Sequence, residues 1–570
     1  MKKTKGSLHK KHAPKTAGTP ESPERRAFIG GLTTAAVAAG MVGLEPAFSP
    51  EAASAAGAAK PASPGVGPLR RNAAYKVRQD AAVFQMQLPL PGHPANGDED
   101  LYPNRIASYS KGLPHNSLGE VDPNAYRSLL AALASGNPAD FENIPMGSSP
   151  ATRFKLVNPQ CGLAFALEGT DSHQLAQPPA PAFRSAWEAG EIVENYWMAL
   201  LRDSSFIGYA SDPLVAMACA DLSVLSDFRG PKAGGQVTPQ TLFRDNLPGA
   251  LLGPYMSQFF FLTTPFGAEL VERKMRTPVA GVDFMTNAAD WLAIQNGNRP
   301  AAPAQFDPQR RYVRNGRDLS EWVHIDVLFQ GYFNAALILM AMGAPLNPGN
   351  PYNTSQTQDG FGTFGGPHLA ASVAQVAPAA LKAVWFQKWY VHRRLRPEVF
   401  AGRVHFRATG AASYPIHSNV LNSQALSLTF SKFGTGFLPM AFPEGSPLHP
   451  AYGAGHATVA GACVTMLKAL FDESFVLSNP VVPDAAGTSL LPYAGPDAGM
   501  LTVGGELNKL ASNVATGRNI AGVHWRTDGI ESLKLGEAIT ISILRDQRDT
   551  FNEDFPGFVF TKFDGSPITI

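Results

Sequence analysis

HPAYGAGHATVAGACVTMLKAL, residues 449–470, sets two histidines around a Gly-rich break and then runs into a helix of small residues. Gly453 and Gly455 let a backbone pass close to a ligand, and the free amides that open a helix favour an anion. The small side chains that follow predict a helix packed tightly enough to hold the turn still. A histidine beside a glycine turn is more often a satisfied structural residue. The meaning of His449 and His456 therefore rests on what other segments bring.

Two other segments bring charge. WFQKWYVHRRLRPEVFAG, residues 385–402, places Lys388 and Arg396 near one helix face, with Pro397 pushing Arg396 out of ideal helix. NVATGRNIAGVHWRTDG, residues 513–529, places Arg518 on a helix, and Gly522 breaks that helix so that His524 returns toward the same point. Singly these are ordinary: a Lys and an Arg on a solvated face, a surface arginine, a structural histidine. Together they supply three fixed cations, a glycine turn and two histidines. That set suits a tetrahedral oxyanion, with forked donors from arginine and a point charge from lysine.

Composition bounds the rest. With 44% hydrophobic and 16% charged residues over 570 positions, the chain reads as a globular enzyme with room for one large core or two. A formal charge of +1 and the lack of a basic stripe exclude a nucleic-acid binder. Cys161, Cys219 and Cys463 are too few for a disulfide scaffold and lack metal-site spacing. MKKTKGSLHKKH is a basic leader, followed by Arg25-Arg26, Phe28, a Gly/Ala-rich apolar run and the small residues of EAASAAGAAK. Residues 1–56 therefore resemble a twin-arginine export signal, and a periplasmic or secreted protein is expected. The apolar run is short for a membrane anchor, and no span is expected in the mature form.

Helical periodicity dominates the remainder. In SAWEAGEIVENYWMALLRD, residues 185–203, Ser185 reads as an N-cap and Ala189, Ile192, Val193, Tyr196 and Leu200 form one stripe. Residues 320–343 read as one buried helix ended by Gly343 and Pro345. Other helices are predicted at 125–135, 213–227, 283–296, 369–393, 415–431, 456–472, 503–519 and 527–551. Residues 57–110 are Pro/Gly/Ala-rich and read as an extended N-terminal arm that wraps the surface or a partner subunit. The clear strand signal is GFVFTKFDGSPITI, read as a hairpin with a two-residue turn at Asp564-Gly565, Pro567 making its second strand an edge.

The order K-x7-RP, then GH, then GR-x3-G-x-H resembles the vanadium-dependent haloperoxidases and their relatives, the type 2 phosphatidic acid phosphatases and bacterial acid phosphatases. KWYVHRRLRPE, HPAYGAGHAT and GVHWRTDGIESLKLGEAI are most similar to the algal bromoperoxidases and their bacterial relatives. The resemblance runs from about residue 101 to the terminal hairpin. It implies an all-α fold of two packed four-helix bundles with a small C-terminal β-hairpin, spanning residues 111–570, with the active site in 385–530.

The resemblance also implies roles. Lys388, Arg396 and Arg518 would neutralise the oxygens of vanadate, with a hydrogen bond from the Gly455 amide. His524 would be the axial ligand to vanadium and His456 the acid–base residue. Vanadate would activate hydrogen peroxide as a Lewis acid, so that a halide leaves as hypohalous acid and halogenates small organic acceptors. Asp528, four residues beyond His524, reads equally as a positioner of that histidine and as an ordinary helix-start aspartate. Two positions depart from the common pattern. Ala454 replaces a serine whose hydroxyl would serve an oxygen. Trp385 is fungal-like where His449 is algal-like, a hybrid halide site for which bromide oxidation is expected and chloride left open. Family likeness also implies a homodimer or larger homo-oligomer. It suggests calcium too, although no EF-hand-like loop supports it. Two other readings fit the same cradle. One is a phosphomonoesterase with His524 attacking phosphorus and His456 protonating the leaving oxygen. The other is a non-catalytic oxyanion-binding protein.

Overall fold

The computed structural model describes residues 65–570, so the expected export signal lies outside the described residues. Helix α1, Pro68–Gln87, opens with Pro68 at its first position. The stretch expected to be an extended arm thus carries a 20-residue helix. Its Arg, Gln and Ala content favours helix, and the Pro and Gly on either side mask that tendency. Nearly all of α1 is exposed, and Gln85 is its one buried residue.

Helix α2, Ala186–Leu200, begins at Ser185, whose hydroxyl accepts from the Glu188 amide at 3.1 Å. The expected apolar stripe is buried up to a half-buried Leu200, but so are Glu188, Glu191 and Glu194 on its polar side. Their carboxylates pair with Arg394 and Arg526. Charge on this helix therefore marks an internal ionic network and not a solvated face.

The single helix expected at 320–343 is two. Helix α3, Gly316–Trp322, ends before a turn over 323–329, and helix α4, Gln330–Ala341, follows. A continuous apolar run hides the break. The break frees the Val323 carbonyl to accept from Arg518, and Asp326 in the same turn meets His456.

Helix α5, Gly366–Phe386, continues into a π-helical turn, Gln387–His392, closed by Arg393 in a left-handed conformation with φ 39°. Such turns are rare and often mark functional sites. Residues 366–392 are apolar and long enough to cross a membrane by composition, yet this segment packs on the central helix and carries buried Lys388. Helix α6, Pro397–Ala408, has Arg396 as its N-cap residue. Lys388 and Arg396 therefore do not share a helix face. One sits in the π turn and the other at the start of the next helix.

Helices α7, Gly455–Leu470, α8, Val503–Ile520, and α9, Arg526–Arg548, make the centre. Every residue of α7 is buried except His456. Gly461 and Gly536 let α7 and α9 touch through their backbones. A methyl group at 461 would lie 2.1 Å from the Leu533 carbonyl, and one at 536 would lie 2.0 Å from that of Thr458.

The remaining predicted helices occur as Pro123–Ser135, Pro213–Ser223, Ala288–Gln295 and Gln424–Phe433, the last preceded by the short Ser418–Leu421. The terminal hairpin pairs Val559–Thr561 with Pro567–Thr569. Its turn is three residues long, Phe563 to Gly565, with Gly565 at φ 86°. Two further ribbons, at 264–271 and 481–492, have no comparable sequence signal.

Candidate active site

Lys388 is fully buried and donates to the Pro450 and Ala451 carbonyls at 2.9 and 3.2 Å. Arg396, also fully buried, donates from Nε to the His449 carbonyl (3.0 Å) and from Nη1 to that of Val523 (2.7 Å). Its Nη1 also faces His524 Nε2 at 3.0 Å, and its Nη2 faces His449 Nδ1 at 2.9 Å. Arg518 donates from Nη1 to the Val323 carbonyl at 2.8 Å, while its buried Nε has no partner within the described residues. Among the described residues, the donors of all three thus go to carbonyl oxygens and imidazoles, and to no carboxylate.

That arrangement has an electrostatic consequence. Burial pushes the Lys388 ammonium well below the usual lysine range, and the Arg396 and Arg518 charges push it further. Burial takes the Arg396 guanidinium down to about 10. Arg518 also falls to about 10, through burial and then repulsion from Arg396. Three desolvated cations repelling one another are unfavourable until an anion sits among them. The donor set fits a small, multiply charged oxyanion.

The histidines are oriented for distinct tasks. His524 Nδ1 lies 2.8 Å from Asp528 Oδ2, which can only accept, so Nδ1 carries the proton. Nε2 keeps its lone pair, which faces Arg396 Nη1 at 3.0 Å. Burial and those cations hold His524 neutral, well below the ordinary histidine range. Asp528 does both jobs that its position allowed: it positions His524 and accepts from the Trp525 amide at 3.2 Å. Behind it, Arg394 Nη1 donates to Asp528 Oδ1 at 2.8 Å.

His456 Nε2 lies 2.9 Å from Asp326 Oδ1. Burial lowers the His456 pKa and Asp326 opposes that shift. His449 Nδ1 accepts from Arg396 Nη2; the Pro450 carbonyl, 3.2 Å from the same nitrogen, is served by Lys388. The Trp385 ring lies 4.9 Å from the His449 ring, its Nε1 is spent on the Val157 carbonyl at 3.0 Å, and Lys388 Nζ stands 5.5 Å over its face.

The chain geometry explains the convergence. Helix α8 ends in a Schellman motif: Gly522, at φ 86°, donates to the Asn519 carbonyl and Val523 to that of Arg518. This turns His524 back beside Arg518, as expected. Gly455 opens α7 with no side-chain cap, and a side chain there would meet the Trp385 ring at 3.0 Å. Gly453 has a different purpose from the one expected. A methyl group at 453 would strike Ser532 Oγ at 2.4 Å and Gln177 Oε1 at 2.5 Å, so it yields to protein packing and not to a ligand. Ser532 Oγ in turn accepts from the Ala454 amide at 2.8 Å.

The chain is 35% identical to a vanadium-dependent bromoperoxidase of Corallina pilulifera, over 88% of its own length and 98% of the relative's. It is 35% identical to one of Ascophyllum nodosum, over 83% and 87%. A family model described as the VCPO second helical-bundle domain matches residues 368–553. The structure matches the homohexameric second vanadate-dependent bromoperoxidase of Ascophyllum nodosum with TM-score 0.84 and 32% identity, covering 92% of this chain and 94% of that one.

The chain belongs to the vanadium-dependent bromoperoxidase family. Its mostly helical fold is the vanadium haloperoxidase fold. Arg396 contacts both His449 and His524, Lys388 bonds the backbone just after His449, Trp385 packs on His449 and against Gly455, and the Lys388 and Arg518 charges act on both His456 and His524. Sequence reasoning missed Asp326, Val323 and Arg394. Asp326 lay inside an assumed continuous helix. Arg394 sat in a basic run, RRLR, where neighbouring side chains look interchangeable.

Proposed function

We propose that Lys388, Arg396, Arg518 and the Gly455 amide hold vanadate in this haloperoxidase, with His524 Nε2 as the ligand to vanadium. The supporting observation is the set of three buried cations whose donors meet no carboxylate. Bound vanadate supplies Lewis acidity toward hydrogen peroxide. The chain's own part is positional and protonic. Asp528 holds the His524 proton on Nδ1 and so keeps Nε2 basic. His456, neutral, keeps its proton on the Nε2 that faces Asp326, and takes and returns a proton at Nδ1. A bound anion offsets the mutual repulsion of these buried cations and favours the charged form of Lys388.

His449 and Trp385 line the approach of the halide in this proposal, with bromide the preferred ion. Small organic acceptors then meet hypohalous acid. Arg25-Arg26 and the apolar run after them direct export, placing turnover in the periplasm or outside the cell. A homo-oligomer is part of the same proposal. Isolated helices gain most of their stability from packing an apolar face. Exposed α1 presents Leu69, Tyr75, Phe84 and Met86 for a second subunit to cover.

The test is direct. Metal-free protein should gain peroxide-dependent bromination of a dye when orthovanadate is added. No gain from acid to neutral pH in folded protein defeats the proposal. Hydrolysis of nitrophenyl phosphate without bromination replaces it with the phosphomonoesterase.

A further inference from the structure

His324 occupies the turn between α3 and α4 that delivers two groups to the site. One residue before it, the Val323 carbonyl accepts from Arg518. Two residues after it, Asp326 meets His456. The turn is otherwise thinly held, since Ile325 and Val327 are 53% and 57% exposed.

His324 is clamped from three sides. Its Nε2 lies 2.6 Å from Glu444 Oε1, on the stretch that leads to His449, and its Nδ1 lies 3.4 Å from Glu321 Oε2 on α3. Its ring stacks on Phe442 at 3.7 Å and 10°. The Arg518 guanidinium stands 5.7 Å from the same phenyl ring. The Glu444 carbonyl is fixed independently by Lys111 Nζ at 2.9 Å. Glu321 is itself paired with Arg276 at 3.0 Å.

We propose that His324 is a positioning residue, whose bond to Glu444 and stack on Phe442 set Asp326 against His456 and the Val323 carbonyl against Arg518. This rests on the assignment of His456 and Arg518 to the haloperoxidase site. A carboxylate on each ring nitrogen favours the doubly protonated imidazole. Glu321 and Glu444 raise the His324 pKa while burial and Arg518 lower it, with a net rise. The turn is therefore held most firmly on the acid side and released as pH climbs through that raised value.

A double-mutant cycle with a separate binding assay tests this. His324→Phe keeps the stack and removes both N–H groups. It should lower kcat/KM for peroxide about tenfold, as loss of a residue that orients a site group does. In an Asp326→Asn background the same change should lower it less than twofold further, because the orientation is already lost. The orthovanadate Kd of metal-free protein, followed by tryptophan fluorescence, should rise severalfold through Arg518. Equal losses in both backgrounds, or an unchanged Kd in folded protein, overturn the proposal. If His324→Phe does not fold, Glu444→Gln is read by the same two criteria. The binding arm needs no turnover. Failure of bromination in the unmutated protein therefore refutes the functional assignment, and an unmoved Kd refutes the positioning role.

Discussion

His456 Nε2 and Asp326 Oδ1 stand 2.9 Å apart although 130 residues separate them in the chain. The pairing makes His456 an oriented base. Its pKa is lowered by burial and raised in opposition by Asp326. Replacing Asp326 by Asn removes the raising influence, so the pKa falls further. A step that needs neutral His456 is lost only as pH falls through that value, and its acid limb should therefore move to lower pH. The maximal rate should drop about 10- to 100-fold, because the ring is no longer aimed. A pH profile of kcat/KM for peroxide checks both, and an unchanged acid limb contradicts the pairing's role.

The cationic cradle predicts a stability that depends on anions. Orthovanadate at a hundredfold excess over its Kd should stabilise the fold by about 2.7 kcal/mol through mass action. Lys388→Met removes a buried charge repelled by Arg396 and Arg518. The metal-free variant should melt no lower than the unmutated protein, yet lose most of the vanadate-induced rise in Tm. Differential scanning calorimetry with and without vanadate separates the two effects. A full Tm rise in the variant would remove Lys388 from the cradle.

Arg394 holds Glu188, Glu191 and Asp528 together inside the protein. Arg394→Met leaves those carboxylates unpaired, a loss of about 3–5 kcal/mol. Burial already raises the Glu188 and Asp528 pKa values against the pull of Arg394, and its removal raises them more. Carboxylates with raised folded pKa values are neutral in both states at low pH and destabilise the fold as pH rises through those values. The deficit should therefore be larger at pH 8 than at pH 5 in urea unfolding. The reverse trend would mean that the cluster is not electrostatically coupled.

Gly522 sits at φ 86°, and a methyl group there would lie 2.7 Å from Met440 Sδ. Gly522→Ala should cost about 1 kcal/mol for the backbone alone, with more for the contact. It should also weaken vanadate binding, since the turn between Arg518 and His524 has to shift. Equilibrium dialysis of vanadate checks the second effect, and an unaltered Kd would show that the turn is not what aims His524.

Much of the site was legible because its groups lie in three short segments with unusual local chemistry. Pro397 placed Arg396 outside a helix, Gly522 placed His524 after a helix stop, and the Gly-rich turn placed His456 at a helix start. These are local backbone rules, and they held. What stayed hidden was non-local. The break at 323–329 lies within an apolar run, so periodicity continued across it. Asp326 earns its place only through His456, a partner no local pattern reveals. Nothing local to Glu188 and Glu191 shows that they are buried, because their partner, Arg394, is two hundred residues away. Helix α1 was masked by its Pro- and Gly-rich flanks.

The central claim is that one oxyanion sits among Lys388, Arg396 and Arg518, bound through His524. A crystal of the protein grown with orthovanadate tests it most directly. Electron density for vanadium within bonding distance of His524 Nε2, its oxygens facing the three cations, is the predicted result. Vanadium bound elsewhere, or a cradle that stays free of it at saturating orthovanadate, would contradict the account.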